Sequence, residues 1–381
     1  MFRNYITSAI RSLKKSFSFS ILNISGLAIG IACAGLIFLW VKDELTFNSY
    51  FSNKENLYKI LNSQTYDGKT FVFNSTPGPL SAAIKEEVPG IKNTARSSWK
   101  ITQPFTKGDN SINSAGLFVD PSFLQMFHLQ FVSGNPANAL SDLKSVVLTE
   151  KMAKKLFGNE NAIGKELRTE KNQLFKVTAI VKDLPENTSF TFQWLAPFQN
   201  FENDNDWLKQ WGNNGVLTFV ETAPGASIKN MNHQLYDFLK SKGPNYISKF
   251  SVYPMSRWHL YDQFDNGKEK EGSIKYVRLF SIIAWIILII ACINFMNLST
   301  ARSEKRAREV GVRKVLGAGK GSLRFQFLFE SIIMAFMATI FAAILMLFTL
   351  PAFNNLVQKH LSLSFSDWTN WAAFAAFTIV C

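Results

Sequence analysis

The sequence predicts an α-helical transmembrane domain with a mixed α+β external (periplasmic) domain inserted between its first and second membrane spans. Two observations predict this class. Long apolar runs stand near the start and near the end of the 381-residue chain, and a stretch of ordinary composition separates them. Most of the net charge of +13 lies in two short segments that flank the apolar runs.

The first apolar run, residues 19–41, predicts a transmembrane helix. It contains no charged side chain, and about 20 apolar residues suffice to cross a hydrocarbon core of roughly 30 Å. A cleaved signal peptide is the alternative, but the run is too long for one and continues past the small-residue cluster Ala32–Ala34. Before it, residues 1–18 alternate apolar and basic side chains at helical spacing, which predicts an amphipathic helix on the inner leaflet, with a short soluble helix as the alternative.

Small and amide side chains in the spans predict helix packing. Gly26, Gly30 and Ala34 recur at four-residue spacing, which lets two helix backbones approach closely. Such spacing is also common in helices that only face lipid. Asn294 and Asn297 lie near one end of the second span and are expected to hydrogen-bond a neighbouring helix.

The later apolar runs predict a second group of membrane spans over residues 277–381. Its second span covers about 277–298, and its third covers about 328–350 and is expected to end at Pro351. A fourth span is predicted to start at 369–381. Because that run is shorter than a span, we expect the chain to be a fragment of a longer protein.

The basic residues predict the orientation. Residues 1–18 hold four basic and no acidic side chains, and residues 300–327 hold eight basic against two acidic. Basic segments stay on the cytoplasmic side. We therefore expect a multi-pass protein of the cell inner (cytoplasmic) membrane, with a cytoplasmic N-terminus and residues 44–276 in the periplasm. The remainder of the chain is nearly neutral, so a nucleic-acid partner is excluded while the lipid bilayer is a partner.

The external region, residues 44–276, is predicted to mix helices and strands in one domain or two lobes. This region contains no cysteine, because Cys33, Cys292 and Cys381 all fall in apolar runs. The four histidines of the chain are scattered, without the spacing of metal ligands. We therefore predict no metal, no cofactor and no catalytic residue. The alternating segments predict strands at Gln173–Val181 and Val216–Glu221, and the helical patterns predict helices at Pro79–Glu87, Glu150–Phe157 and Ser227–Lys242.

The basic loop after the second span predicts a short cytoplasmic helix. Glu309 and Arg313 form a favourable i,i+4 pair, Val312, Val315 and Leu316 make a small apolar face, and Gly317 ends the helix. Such a face could seat in a groove of another protein; a loop that only sets topology is the alternative. A phosphate-binding loop is excluded, because the glycine it requires is replaced by Lys314. We therefore predict no enzyme activity in this chain.

Several motifs resemble one known family, the FtsX-like permeases of the macrolide-exporter (MacB) type. The inner-loop run from Arg308 to Ala318 is similar to the family's most recognisable motif, and Asn23 with Gly26–Gly30 is similar to its first-span motif. The external region adds similar segments, and together the motifs cover nearly the whole chain. These segments are Asp120–Phe127, Val146–Ala153, Leu156–Gly158, Ile163–Lys165 and Leu184–Phe190.

The resemblance implies the permease subunit of an ABC transporter. It implies a coupling helix that docks on a separate cytoplasmic ABC ATPase dimer and transmits ATP-driven motion to the external domain, for efflux or extraction of a substrate. It also implies that the chain is the N-terminal half of a longer protein, with an FtsX-like permease domain at residues 277–381. A second permease half or copy and a periplasmic or outer-membrane partner are implied as well. The chain differs from the macrolide exporter in lacking a fused N-terminal ATPase. The coupling residues are expected to be Arg308, Glu309, Gly311, Arg313, Lys314, Leu316 and Gly317.

A membrane-anchored sensor is the alternative function. Its external domain would report a ligand to a cytoplasmic partner, through nearly the same architecture. The two hypotheses differ in one respect: a sensor needs no ATPase.

Overall fold

The computed structural model describes residues 17–244, 246–305, 315 and 320–363. The chain divides into two compact units. The helical unit holds the residues up to Leu45 and those from Lys275 onward, and the sheet unit is Thr46–Ile274. The sheet unit is therefore an insertion, in chain order, between the first and second long helices.

The α-helices are of two kinds, long apolar helices and short helices. The long helices belong to the helical unit, where the apolar runs lie, and the short ones cover the sheet. They are α1 (Phe17–Leu45), α2 (Leu80–Glu87), α3 (Ser122–Met126), α4 (Glu150–Phe157), α5 (Phe198–Asn203), α6 (Ile228–Tyr236), α7 (Ile274–Lys305) and α8 (Lys320–Val357).

Three helices of the described residues are long and apolar enough to cross a membrane, namely Phe17–Leu45, Ile274–Ala301 and Leu328–Val357. The first two contain the predicted spans 19–41 and 277–298. The third differs from its prediction, because α8 runs through Pro351 to Val357 instead of ending there. Proline is tolerated inside apolar helices when nearby groups satisfy the carbonyl it leaves unbonded. The predicted amphipathic helix at 1–18 lies, except for its last two residues, outside the described residues.

The strands of the sheet unit form one large mixed sheet and a separate hairpin. The sheet has 13 strands, in the order β11-β8-β10-β9-β5-β6-β4-β12-β1-β13, with β2, β3 and β7 paired to its members. The strands are β1 (Leu57–Tyr66), β2 (Lys69–Phe73), β3 (Ser75–Pro77), β4 (Ile91–Ser97), β5 (Ile101–Lys107), β6 (Asn110–Val119), β7 (Phe131–Ser133), β8 (Ser145–Thr149), β9 (Glu166–Thr169), β10 (Leu174–Val181), β11 (Trp194–Pro197), β12 (Asn214–Thr222), β13 (Lys249–Pro254), β14 (Gln263–Asp265) and β15 (Lys268–Lys270).

Local sequence explains the boundaries of α4. Every residue of β8 is buried, as expected for a strand that pairs in parallel with β10 and has both faces covered. Thr149 ends this strand and caps α4, since its hydroxyl accepts a hydrogen bond from the backbone N–H of Met152. Gly158 ends the helix at φ 63°, a conformation that glycine adopts without strain.

The predicted helix Ser227–Lys242 is shorter than expected. The α-helix ends at Tyr236, and Phe238–Lys242 continues as a 3₁₀ turn. Ser227 caps it by accepting a hydrogen bond from the N–H of Asn230. Phe238 and Leu239 of this turn are buried.

An ion network joins two hydrophobic clusters of the sheet unit. Arg96 on β4 binds Asp120 through two hydrogen bonds of 3.0 and 3.1 Å and binds Glu202 on α5 at 2.6 Å. Its guanidinium also lies 4.2 Å from the ring centre of Phe198. Asp120 opens one of the motifs noted in the sequence, and its role here is to hold Arg96. A planar, bidentate pair of this kind fixes both partners in orientation.

A partly buried lysine lies among the aromatic side chains of the larger cluster. Lys59 on β1 is paired across the sheet with Phe219 and Tyr253, and its Nζ is 5.6 Å from the Tyr253 ring and 5.7 Å from the Trp258 ring. Burial lowers the pKa of Lys59 to about 8, against a smaller opposing effect of Asp262. The rings supply cation–π attraction that compensates part of the lost hydration.

The substitution Lys59→Met should change how stability depends on pH. Because the pKa is lower in the folded state than its ordinary value of 10.5, the unfolded chain holds a proton between pH 8 and 10.5 that the folded chain has released. The free energy of unfolding of the wild type should therefore rise by up to about 3 kcal/mol relative to that of the variant as pH rises through this window. Denaturant unfolding followed by tryptophan fluorescence measures the difference.

The matched control is Lys69→Met, which removes an exposed lysine that lies 5.5 Å from the ring of Phe71. Its stability curve should run parallel to that of the wild type. If the Lys59→Met curve were parallel as well, the pKa of Lys59 would not differ between the folded and unfolded states.

Candidate functional site

The residues expected to contact an ATPase lie outside the described residues. They are Arg308, Glu309, Gly311, Arg313, Lys314, Leu316 and Gly317. The segment connects α7, which is helical to Lys305, with α8, which begins at Lys320. The described part of the site is therefore the packing of the three long helices.

Helices α1 and α7 pack against each other in antiparallel directions. Gly30 lies so close to Ala291 that a Cβ at Gly30 would overlap the Cβ of Ala291. One turn earlier on α1, a Cβ at Gly26 would lie 3.3 Å from the side-chain nitrogen of Asn294. Farther along, Trp40 meets Phe280 edge to face, with 5.3 Å between ring centres. Positions therefore rise on α1 as they fall on α7.

A buried asparagine provides the hydrogen bonds at this contact. Asn23 of α1 is 1% exposed, and its side-chain amide donates to the carbonyl of Phe295 at 3.4 Å and to the hydroxyl of Ser299 at 3.1 Å. Asn294 and Asn297, expected in this role, are both exposed. Asn23 precedes Gly26 and Gly30 by three and seven residues, so its position on the same face was readable from helical spacing.

Helix α8 packs on α1 in the same direction. Gly35 of α1 faces Met346, whose sulfur would lie 2.7 Å from a Cβ at that glycine. Ala34 is 1% exposed, and Ala338 and Ala342 of α8 are fully buried in the same cluster. Small residues thus occupy both helices at the contact, as expected for helices in lipid, where close packing rather than water exclusion drives association.

An ion cluster fastens the C-terminal ends of α1 and α8. Lys359 Nζ lies 2.5 Å from a carboxylate oxygen of Asp43 and 2.5 Å from one of Glu44. Asn354 closes the turn, because its amide donates to the carbonyl of Leu361 and accepts from the N–H of the same residue. Burial lowers the pKa of Lys359, but hydrogen bonds and charge from the two carboxylates outweigh burial and raise it.

Sequence reasoning missed this cluster. The acidic pair after the first span and the lysine in the hairpin after the third are separated by more than 300 positions, and no short-range pattern connects them. The available signal was a lysine in the segment after the third span and two acidic residues at the end of the first.

The substitution Gly30→Ala should separate α1 from α7. The added methyl group overlaps Ala291, and overpacking of this kind costs about 1–3 kcal/mol. The unfolding midpoint in detergent should therefore fall. Adding Ala291→Gly to the variant should return the unfolding midpoint most of the way to the wild-type value.

The control is Gly321→Ala in α8, where nothing lies within 4 Å of the new methyl group. It should leave the midpoint unchanged or raise it, since alanine favours helix over glycine. If Ala291→Gly did not raise the unfolding midpoint of the Gly30→Ala variant, a direct contact between the two positions would be contradicted.

The substitution Lys359→Met should destabilise the helical unit. It removes the cation that Lys359 brings to Glu44, whose side chain is 7% exposed, at a cost of about 2 kcal/mol. Lys359→Arg should retain most of the stability. Thermal unfolding of the detergent-solubilised chain compares the two.

An exposed pair provides the reference for this test. Lys270→Met removes a pair whose side chains are 65% and 56% exposed, and such pairs contribute less than about 1 kcal/mol. Equal effects of Lys359→Met and Lys270→Met would show that the cluster at Lys359 is only a surface contact.

Comparison with known proteins places both parts of the chain in one family. Residues 20–237 match the family model described as MacB-like periplasmic core domain. Residues 281–381 match the one described as FtsX-like permease C-terminal. The first match alone covers more than half of the chain.

Individual relatives are more distant. The chain is 26% identical over 263 residues to the macrolide export ATP-binding/permease protein MacB of Bdellovibrio bacteriovorus, a match that covers 67% of this chain and 38% of the relative. It is 24% identical over 254 residues to the uncharacterized ABC transporter permease YknZ of Bacillus subtilis, covering 65% of this chain and 59% of the relative. The chain thus spans less than two thirds of the length of both.

Among solved structures, the periplasmic region of MacB from Actinobacillus actinomycetemcomitans aligns with 54% of this chain and 91% of its own length. The identity is 16% and the TM-score is 0.41. On the two family matches, which cover residues 20–237 and 281–381, the chain belongs to the FtsX-like, MacB-type family of ABC transporter permeases.

Proposed function

We propose that this chain transmits ATP-driven motion of a separate cytoplasmic ABC ATPase dimer to the sheet unit outside the membrane, for efflux or extraction of a substrate. The N-terminus and the segment 306–319 would lie in the cytoplasm, and Thr46–Ile274 would lie in the periplasm. The excess of basic residues in the two inner segments supports this orientation.

The observation that carries the proposal is how the sheet unit is held at both of its chain ends. α1 leads into it and α7 leads out of it, and these two helices contact each other through Gly30 and Ala291. Any displacement of one helix along the other is therefore delivered, through the covalent chain, to two points of one folded unit.

Those two points are joined within the sheet unit. Phe47, just after the start of the unit, stacks on His259 with 3.7 Å between ring centres. Asn48 donates its N–H to the carbonyl of Asn187 at 2.9 Å, and the N–H of Ile274 donates to the carbonyl of Leu260 at 3.1 Å. Movement of either helix thus reaches the same small region first.

That region adjoins a dense aromatic core. Trp258 packs against Phe190 and Phe219, and Phe51 packs against Phe127 and Phe190. Close-packed interiors respond to displacement by moving as rigid bodies rather than by yielding gradually. The aromatic core would therefore carry motion into the sheet.

The ATPase contact is proposed for the segment Arg308–Ala318, from its paired charges, its small apolar face and its place between α7 and α8. The triple substitution Glu309→Ala, Arg313→Ala and Gly317→Ala should remove the ATPase from the purified complex. It should also abolish the dependence of ATP hydrolysis on this chain. Co-purification and ATPase activity in reconstituted membranes measure the two effects.

The matched control is Lys85→Ala with Glu86→Ala, which removes exposed charges of both signs from α2. It should leave ATPase binding intact. If the triple variant retained both ATPase binding and coupled hydrolysis, the coupling role of the segment would be excluded. If the wild type bound no ATPase at all, the sensor hypothesis would be favoured.

A further inference from the structure

One asparagine holds the chain where it enters the sheet unit. Asn48 lies three residues after the end of α1 at Leu45, is 1% exposed and has a φ of 61°. This left-handed conformation is accessible to glycine and asparagine but is strained for most other residues. The backbone at this turn is therefore fixed in a conformation that few residues adopt.

All four polar groups of Asn48 are hydrogen-bonded. Its backbone N–H donates to the carbonyl of Asn187 at 2.9 Å, and its carbonyl accepts from the N–H of Phe51 at 3.2 Å. Its side-chain oxygen accepts from the N–H of Ser189 at 2.7 Å, and its side-chain nitrogen donates to the Ser189 hydroxyl at 2.8 Å. Because a backbone N–H only donates, the orientation of this amide is fixed. Asn48 thus clamps the entering chain to Asn187 and Ser189.

The clamped residues belong to a loop that is closed on itself. They fall in Leu184–Phe190, one of the segments that resemble family motifs. The hydroxyl of Thr188, which is 4% exposed, lies 2.9 Å from the carbonyl oxygen of Pro185 and 3.0 Å from that of Phe190. A displacement of Asn48 would therefore move this loop as a body rather than stretch it.

Phe190, at the end of this loop, connects it to the middle of the sheet. Its ring centre lies 5.5 Å from that of Phe219 and 6.4 Å from that of Trp258, both edge to face. Phe219 belongs to β12, which pairs with β1, β3 and β4. Hydrogen bonds and a close-packed cluster of rings thus lead from Asn48 to a central strand.

A second contact of the entering chain is less suited to this role. Phe47 stacks on His259, with 3.7 Å between ring centres and 7° between ring planes. Stacking tolerates lateral offset of the rings, whereas hydrogen bonds weaken steeply as their angles change. The bonds of Asn48 therefore fix the position of the entering chain, which the stack does not.

We propose that Asn48 is the positioning residue through which movement of α1 reaches the sheet unit, and that Leu184–Phe190 receives this movement. The role rests on the transmission of motion proposed for this chain and adds where that motion enters. A purely structural role would affect stability alone. Asn48→Gly separates the two roles, because glycine adopts the same backbone conformation and the partner Ser189 is exposed and can bind water instead.

The test measures hydrogen exchange by mass spectrometry at the level of single amides, before and after addition of ATP. It uses the full chain in bilayers, with the ABC ATPase that co-purifies with it. In the wild type, ATP should change exchange in both Thr46–Phe51 and Asn187–Phe190. In Asn48→Gly the change in Thr46–Phe51 should remain, while that in Asn187–Phe190 is lost. Without ATP, the amide of Ser189 should exchange roughly tenfold faster in this variant, the factor expected for the loss of one hydrogen bond.

Two further variants provide the scale and the control. Ser189→Ala removes the hydroxyl but keeps the N–H that donates to Asn48, so it should lower the ATP-dependent change in Asn187–Phe190 by about half. Asn172→Gly makes the same substitution as Asn48→Gly at an exposed turn with the same φ of 61°, and it should alter neither change. All three variants should remain folded at the temperature of the experiment, as thermal unfolding measures.

Four outcomes would overturn this role, and they distinguish it from the function on which it rests. No ATP-dependent change in either segment of the wild type would contradict transmission itself and this role with it. A wild-type change confined to Thr46–Phe51 would leave transmission in place but exclude Leu184–Phe190 as the receiver. A change in Asn187–Phe190 that survives Asn48→Gly would exclude Asn48 alone. Loss of the change in Asn172→Gly as well would show that the effect is not specific to the clamp.

Discussion

The close approach of α1 and α7 at Gly30 and Ala291 is the contact on which the other arrangements depend. It brings Asn23 within reach of Phe295 and Ser299, which satisfies a buried amide. It also keeps together the two helices whose ends are the two ends of the sheet unit. A side chain larger than hydrogen at Gly30 would move the helices apart and lengthen every one of these interactions. Van der Waals contact falls off steeply over fractions of an ångström, so a small separation has a large effect.

Three cations of the described residues that are partly removed from water are held by opposite charges or by aromatic rings. Arg96 binds two carboxylates within the sheet unit, and Lys359 binds two at the end of the helical unit. Lys59 is surrounded by rings instead, and its lowered pKa reflects that poorer compensation. The ion clusters fix the orientation of the elements they join, whereas burial among the rings lowers the pKa of Lys59 to about 8.

The helical unit leaves an apolar groove open between α1 and α8. Because α1 also contacts α7 through Gly30, the helix that leads into the sheet unit also lines this groove.

The sequence by itself determined the features that depend on local chemistry. Apolar runs are visible in any window of twenty residues, so the spans and the inserted α+β region were predictable. The place of Gly26 and Gly30 on one face of α1 was predictable from helical spacing. The bounds of α4 were predictable because its capping residue and its terminal glycine are adjacent to it in sequence. Tertiary structure alone decided which residues meet from distant parts of the chain. Lys359 with Asp43, Arg96 with Glu202, and Lys59 with Trp258 are brought together by the order of strands and helices in space, and no local pattern encodes that order. Pro351 was misjudged for a related reason, because its tolerance within α8 depends on its surroundings rather than on the residue itself.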